Sequence, residues 1–182
     1  MCEYLSFAVR VKDKKVIPAS TPKSHGDVAK LNGLKQDEYR EAEWTQLETT
    51  SLVVRVLDSE EQEDYIKAVL KQYPTRAELE SYLLKEFAGR NNWKTDDSLY
   101  LSGCTGLTEL PKGLKVGGSL DLRGCTGLTE LPKDLKVGGY LDLRGCTVLT
   151  ELPKDLKVGN SLYLIDCNIK EVPEHLKDKA IR

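Results

Sequence analysis

The chain has few of the residues and patterns on which catalysis and membrane insertion usually depend. Its 182 residues include two histidines, and it contains no G-x-S-x-G, H-E-x-x-H or phosphate-loop motif. No apolar run approaches the roughly 18 residues of a transmembrane helix, and the first residues lack the basic and apolar regions of a secretory signal. These absences predict a non-enzymatic, cytoplasmic protein with no membrane partner.

The charges nearly cancel. There are 27 lysines and arginines against 29 aspartates and glutamates, which leaves a formal net charge of −2. A chain so balanced has no overall attraction to polyanions. Lysines and glutamates recur together in the second half, and we interpret them as a solvated face with compensating signs. The alternative, a basic ridge for nucleic acid, is the weaker one.

The second half of the chain contains four copies of one sequence pattern. The first three copies read L-x-L-x-x-C-x-x-L-x-x-L-P, and the fourth keeps the pattern with one position fewer before its proline. The cysteines that mark the pattern are evenly spaced along the chain: Cys104, Cys125, Cys146 and Cys167. A fixed period in the range of about 20–29 residues predicts a solenoid of stacked turns.

The pattern also predicts the inside and outside of each turn. Alternation along L-x-L points the leucines inward and their neighbours outward, so the stacked copies form a parallel sheet. The cysteine follows at a turn, where we expect a reduced, buried thiol that donates weakly to a loop carbonyl. Thiols in a row cannot converge on one ion, so we expect no metal site. No cofactor is expected either. The turn into the next strand is expected to need positive φ, and it is made by equivalent pairs in successive copies: Gly117-Gly118, Gly138-Gly139 and Gly159-Asn160.

The chain is predicted to have four parts. Residues 1–74 form a small α+β domain, 75–97 a helical cap and linker, 98–176 the solenoid, and 177–182 a charged tail that frays. The cap is a helix that covers the open apolar end of the first repeat, with Trp93 as a plug. The alternative is that this helix belongs only to the core of the first domain.

The first domain shows ordinary strand and helix signals. Strands are expected at 4–11, 16–17 and 51–57, where β-branched and aromatic residues cluster. Capping boxes predict two helices, which end at Gln72 and near Gly89. A short helix is expected at 24–31, and 37–45 is left open between helix and strand.

Eight outward-facing residues are the candidate protein-binding site: Tyr100, Asp121, Arg123, Tyr140, Asp142, Arg144, Tyr163 and Ile165. The arginines would meet an anionic or polar partner and the tyrosines would anchor the contact. Alternatively, each aspartate neutralises the arginine two positions later, and duplication explains the identical copies.

Four strands make a face of roughly 300–400 Å², whereas a standard interface takes about 800 Å² from each partner. The first domain would then contribute, or the chain would self-associate, or binding would be weak.

The repeat resembles the leucine-rich repeat family over about 85 of the 182 residues. Its cysteine-containing form is similar to the repeats of plant immune receptors and of some bacterial and phage-encoded proteins. The short period and the L-P-x-x-L return look more like the bacterial group, which includes type III effectors. The resemblance implies an α/β solenoid whose concave sheet binds a protein partner.

The leading prediction for function is a non-enzymatic protein-binding module that uses the sheet face together with the N-terminal domain. Two alternatives stay open. The N-terminal domain could be an effector or modifying enzyme that the repeats deliver to a target. The chain could also be a self-associating structural protein, for which a homodimer is the simplest form.

Overall fold

The computed structural model describes residues 4–10, 13, 15–18, 39–46, 52–56, 62–73 and 76–182. The chain divides into two units, one that ends at Phe87 and one that runs from Ala88 to Arg182. The short helix expected at 24–31 lies outside the described residues.

The first unit contains a four-stranded antiparallel sheet. Its strands are β1 (Tyr4–Arg10), β2 (Val16–Pro18), β3 (Tyr39–Gln46) and β4 (Leu52–Val56), in the order β2-β1-β3-β4. The three strands expected from composition are confirmed. The segment left open at 37–45 lies mostly in β3, because it pairs with a strand on each side: Trp44 faces Leu5 of β1 and Val54 of β4.

Two helices follow this sheet, α1 (Gln62–Gln72) and α2 (Arg76–Ala88). The predicted apolar stripe of α2 is confirmed, because Leu79, Leu83 and Phe87 are all buried. Tyr82 stacks on Tyr73 with ring centroids 5.0 Å apart, and burial raises the pKa of Tyr82 to about 12. Within the described ranges, neither helix has the length and apolar composition to cross a membrane. The capping role of α2 stays a prediction.

The second unit is a solenoid of about four turns with two parallel sheets. The first of them, the leucine sheet, has five strands: β6 (Leu99–Tyr100), β8 (Leu120–Asp121), β10 (Leu141–Asp142), β12 (Leu162–Tyr163) and β13 (Ala180–Ile181). They lie in the order β13-β12-β10-β8-β6. The parallel solenoid predicted from the repeat is therefore confirmed.

The lysine sheet is the second sheet, and the sequence does not predict it. Its strands are β5 (Lys94–Thr95), β7 (Lys115–Val116), β9 (Lys136–Val137) and β11 (Lys157–Val158), in the order β11-β9-β7-β5. From β7 onward each strand buries its valine and exposes its lysine. β5 falls inside the segment interpreted as a linker. Lys115 N–H donates to the Trp93 carbonyl at 3.0 Å, which ties that segment to the next turn.

The cysteines form a ladder that joins successive turns. Each thiol donates to the second leucine carbonyl of the turn before it: Cys125 to Leu101 O at 3.1 Å, Cys146 to Leu122 O at 3.1 Å, and Cys167 to Leu143 O at 2.7 Å. These three cysteines are free; Cys125 and Cys146 are buried, and Cys167 is half-buried. The predicted weak donation to a carbonyl is confirmed for all three.

Cys104 is an exception to the expected row of reduced thiols, because it is disulfide-bonded. It is buried like Cys125 and Cys146, but it stands in the first copy. In the later copies the leucine whose carbonyl accepts the thiol lies 24 residues before the cysteine. The residue at that distance before Cys104 is Glu80, which lies in α2. The residue at that position is therefore not a leucine of a preceding repeat.

The change Cys125→Ser is expected to destabilise the protein by about 1–3 kcal/mol, the cost of placing a strongly polar group in a buried site. The shorter C–O bond holds the hydroxyl farther from Leu101 O than the thiol. Cys167→Ser is the matched control, because the same change at the half-buried position should cost less than about 1 kcal/mol. Urea unfolding measures both, and equal losses would contradict a buried ladder.

The glycines fall into two classes, and the expectation for one class is wrong. Positive φ occurs in the turn after each leucine strand, at Gly103 (72°), Gly124 (65°), Gly145 (71°) and Asp166 (58°). Gly117 and Gly138, expected to need positive φ, do not have it. They are glycines because the turns approach closely: a Cβ at Gly117 would lie 2.6 Å from Asp96 O, and one at Gly138 would overlap Gly117 O.

The segment 177–182, expected to fray, is ordered. A 3₁₀ helix (Glu174–Leu176) buries Leu176, and β13 then pairs in parallel with β12. Leu162 N–H donates to Lys179 O at 2.9 Å, and Leu164 N–H donates to Ile181 O at 2.8 Å. The hydrogen-bond ladder of the leucine sheet therefore continues through the segment interpreted as a tail.

The same segment closes the edge of the lysine sheet. In earlier turns the carbonyls of this sheet accept backbone N–H groups, as Val137 O does from Gly159 at 2.9 Å. At the last strand side chains replace them. Lys179 Nζ donates to Val158 O at 2.7 Å and to Gly159 O at 3.1 Å, and His175 Nε2 donates to Leu156 O at 2.9 Å.

Candidate protein-binding face

The outward side of the leucine sheet carries all eight candidate residues. Its middle column consists of residues that are direct neighbours across the strands: Tyr100, Asp121, Asp142, Tyr163 and Ile181. The predicted order of the first four is confirmed. Ile181 extends the column to the fifth strand, and the sequence does not predict its place there.

Exposure on this face is uneven. Tyr100 and Tyr140 are 59% and 49% exposed, and Ile165 is also exposed. Asp121 and Asp142, expected to be exposed, are instead 9% and 8% exposed. Their arginine neighbours cover them.

Each aspartate is clamped by the arginine two positions later. Arg123 donates from Nε to Asp121 Oδ1 at 3.0 Å and from Nη2 to Oδ2 at 2.6 Å. Arg144 holds Asp142 in the same way, at 2.9 Å and 2.6 Å. In both pairs the arginine backbone N–H also donates to Oδ1. The internal neutralisation considered as the alternative is therefore present in the structure.

The two pairs form one continuous row. Arg123 Nε lies 3.7 Å from Asp142 Oδ2, which links one turn to the next. Hydrogen bonding to Asp121 raises the pKa of Arg123, and hydrogen bonding to Asp142 raises the pKa of Arg144. Two of the five N–H groups of each guanidinium point at its own carboxylate. The row of two aspartates and two arginines is therefore polar but carries no net charge.

An aromatic cluster lies at the far end of this row. The rings of Tyr140 and Tyr163 meet edge to face, with centroids 6.4 Å apart. Arg144 Cζ lies 5.3 Å from the centroid of Tyr163, a cation–π distance. Ile165 lies on the same side of the sheet, two positions after Tyr163. The structure therefore groups Tyr140, Arg144 and Tyr163, while Tyr100 lies on β6 at the opposite edge of the sheet from β13.

Serines hold the neighbouring column through backbone contacts. Ser98 Oγ accepts from Ser119 N–H at 2.9 Å, and Ser119 Oγ accepts from Tyr140 N–H at 3.2 Å. These hydroxyls fix the spacing between turns and place Tyr140 at its position on the face.

Ile181 is the residue of this face that sequence reasoning missed. The strands of the four copies begin at equal steps along the chain, at Leu99, Leu120, Leu141 and Leu162, but β13 begins sooner than the same step would place it. The break in period conceals the strand. The remaining signal is the apolar pair Ala180-Ile181, which is too short to stand out in a charged segment.

The described residues offer neither a metal-ion cluster nor an ionised Cys146 thiol. In the part of the chain that the structure describes, no group of three His, Cys, Asp or Glu side chains is arranged to hold a metal ion. Burial raises the pKa of the Cys146 thiol to about 12, so it stays protonated and is a poor nucleophile.

Comparison of this chain with family models, curated proteins and solved structures gave no match.

Proposed function

We propose that the protein is a non-enzymatic module that binds another protein through the outward side of the leucine sheet. The observation that carries the proposal is the contact of the exposed Tyr140 with the half-buried Tyr163 beside Arg144, with the exposed Ile165 on the same side of the sheet. Tyrosine and arginine are the residue types that dominate binding energy at protein interfaces. The resemblance to leucine-rich repeats supports the same side of the solenoid.

The cluster is well suited to contact because its side chains are already held in place. Arg144 is bonded to Asp142 and lies against Tyr163, and Tyr163 meets the ring of Tyr140. A partner therefore has less side-chain freedom to remove when it binds.

The ion pairs also define the chemistry of the partner. The guanidinium groups of Arg123 and Arg144 already donate hydrogen bonds to carboxylates of this chain. They are therefore poorly placed to bind an acidic partner. An apolar or aromatic surface with a few hydrogen-bond acceptors fits better. We therefore expect the affinity to change little with salt concentration, unlike binding between opposite charges.

Affinity capture with the full chain tests the proposal. Proteins retained by the wild type are compared with those retained by Tyr140→Ala and Ile165→Ala. We expect each change to weaken binding of the specific partner by roughly tenfold or more, as loss of a central contact does. Val148→Ala is the control, because Val148 is an exposed apolar residue that lies in a loop after Cys146 and outside the leucine strands.

Two results would count against this function. One is that no protein is retained. The other is that the Tyr140 and Ile165 variants retain the same partner as strongly as the Val148 variant does.

A further inference from the structure

The two sheets of the solenoid finish differently beside β13. The edge of the lysine sheet is closed by Lys179 and His175, which donate to its last carbonyls. The outermost strand of the leucine sheet is β13, and no side chain among the described residues closes its outer edge in this way. Unpaired strand edges are the usual template for pairing with another chain.

The backbone groups on that edge belong to Ala180. The carbonyls of Lys179 and Ile181 accept hydrogen bonds from β12, so alternation turns the N–H and C=O of Ala180 to the other side. Neither group bonds to a described residue. Ala180 and Arg182 also line an open groove.

Two opposite charges flank this position symmetrically. Asp178 lies two positions before Ala180, and Arg182 lies two positions after it. Both are exposed, and neither forms an ion pair with a described residue. The nearby Glu174 and Lys177 are already paired with each other at 2.5 Å.

We propose that a second copy of the chain pairs with β13 in antiparallel fashion, across a two-fold axis that passes beside Ala180. The N–H of Ala180 then donates to the C=O of Ala180 in the second copy, and the reverse bond forms by symmetry. In this register Asp178 faces Arg182 of the second copy, and Arg182 faces its Asp178. One strand edge therefore supplies both hydrogen bonds and both charge pairs.

The contact is small, so the dimer is weak and depends on concentration. A pair of such short strands buries far less than the roughly 1200–2000 Å² of a stable interface. Its formation does not depend on the proposed protein-binding face, because it uses the edge of the sheet. Tyr140→Ala is accordingly expected to leave the dimer unchanged, whatever its effect on capture of another protein.

Sedimentation equilibrium of the full chain, from roughly 10 µM to roughly 1 mM, covers the range expected for weak association. The average mass should rise toward that of a dimer. Asp178→Arg and Arg182→Asp should each raise the dissociation constant at least about tenfold, because each places like charges opposite one another. Lys133→Glu, which changes an exposed charge in an earlier turn of the solenoid, should leave it unchanged.

Mixing gives the sharpest result. Asp178→Arg and Arg182→Asp, each weak alone, should associate when combined, because each supplies the charge that the other lacks. The double variant should likewise recover the wild-type dimer. A constant monomer mass would overturn the proposal, and so would a mixture no more associated than its components or a wild-type-like dimer in Ala180→Pro. Circular dichroism confirms that each variant is folded.

Discussion

Replacing Gly138 with alanine is expected to destabilise the solenoid by roughly 3 kcal/mol or more. A Cβ at this position would overlap the carbonyl oxygen of Gly117 in the preceding turn. Backbone cannot swing away as a flexible side chain can, so the stacked turns must separate. Gly138 N–H also donates to Val116 O at 2.8 Å, and separation would strain that bond.

Gly124→Ala is the matched control for Gly138→Ala. Gly124 occupies the same solenoid, but the atom nearest to its added Cβ is Gly103 Cα at 4.0 Å. Its cost comes only from the positive φ of 65°, about 1–2 kcal/mol for a residue with a side chain. Urea unfolding followed by circular dichroism compares the two, and a Gly138 variant no less stable than the Gly124 variant would contradict the close approach of turns.

Gly138 also shows where sequence reasoning succeeds and where it stops. The fixed spacing of the repeat predicts the turns, the inward leucines and the thiol donors, because every copy must bury the same side chains in the same way. It does not show which glycine needs positive φ and which needs space. That difference depends on the distance between neighbouring turns, which the sequence of one copy does not specify.

The short strands were hard to predict for a different reason. β7, β9 and β11 have two residues each, and so short a segment carries no periodic signal. Only the stacking of identical Lys-Val pairs makes them a sheet. β13 is equally short and also breaks the period, so its segment resembled a charged tail.

The candidate face was predictable in its columns but not in its contacts. Alternation of side chains along each strand predicts that Tyr100, Asp121, Asp142 and Tyr163 lie in one column, and the register of the strands agrees. Alternation cannot show that the carboxylates are buried beneath guanidinium groups. It also cannot show that Tyr163 meets Tyr140 while Tyr100 stands apart, because both depend on which side chains neighbouring turns bring together.

Replacing Lys179 with methionine is expected to destabilise the protein by about 1.5–3 kcal/mol, the range for hydrogen bonds to a charged group. The ammonium donates to both Val158 O and Gly159 O, and methionine fills similar space with no donor. These carbonyls would be left exposed at the edge of β11. We also expect more aggregation on heating, because an uncovered strand edge is a template for pairing.

Lys177→Met is the matched control for this change, two positions away. Lys177 pairs with the exposed Glu174, and a surface ion pair of that kind contributes at most about 1 kcal/mol. Thermal unfolding and light scattering measure both variants, and equal behaviour would contradict the closing role of Lys179. The carbonyl of residue 179 still accepts from Leu162 in either variant, so β13 stays in the leucine sheet. If Lys179→Met aggregates more than Lys177→Met while its concentration-dependent dimer persists, the two sheet edges act separately, one closed by a side chain and the other open to a second copy.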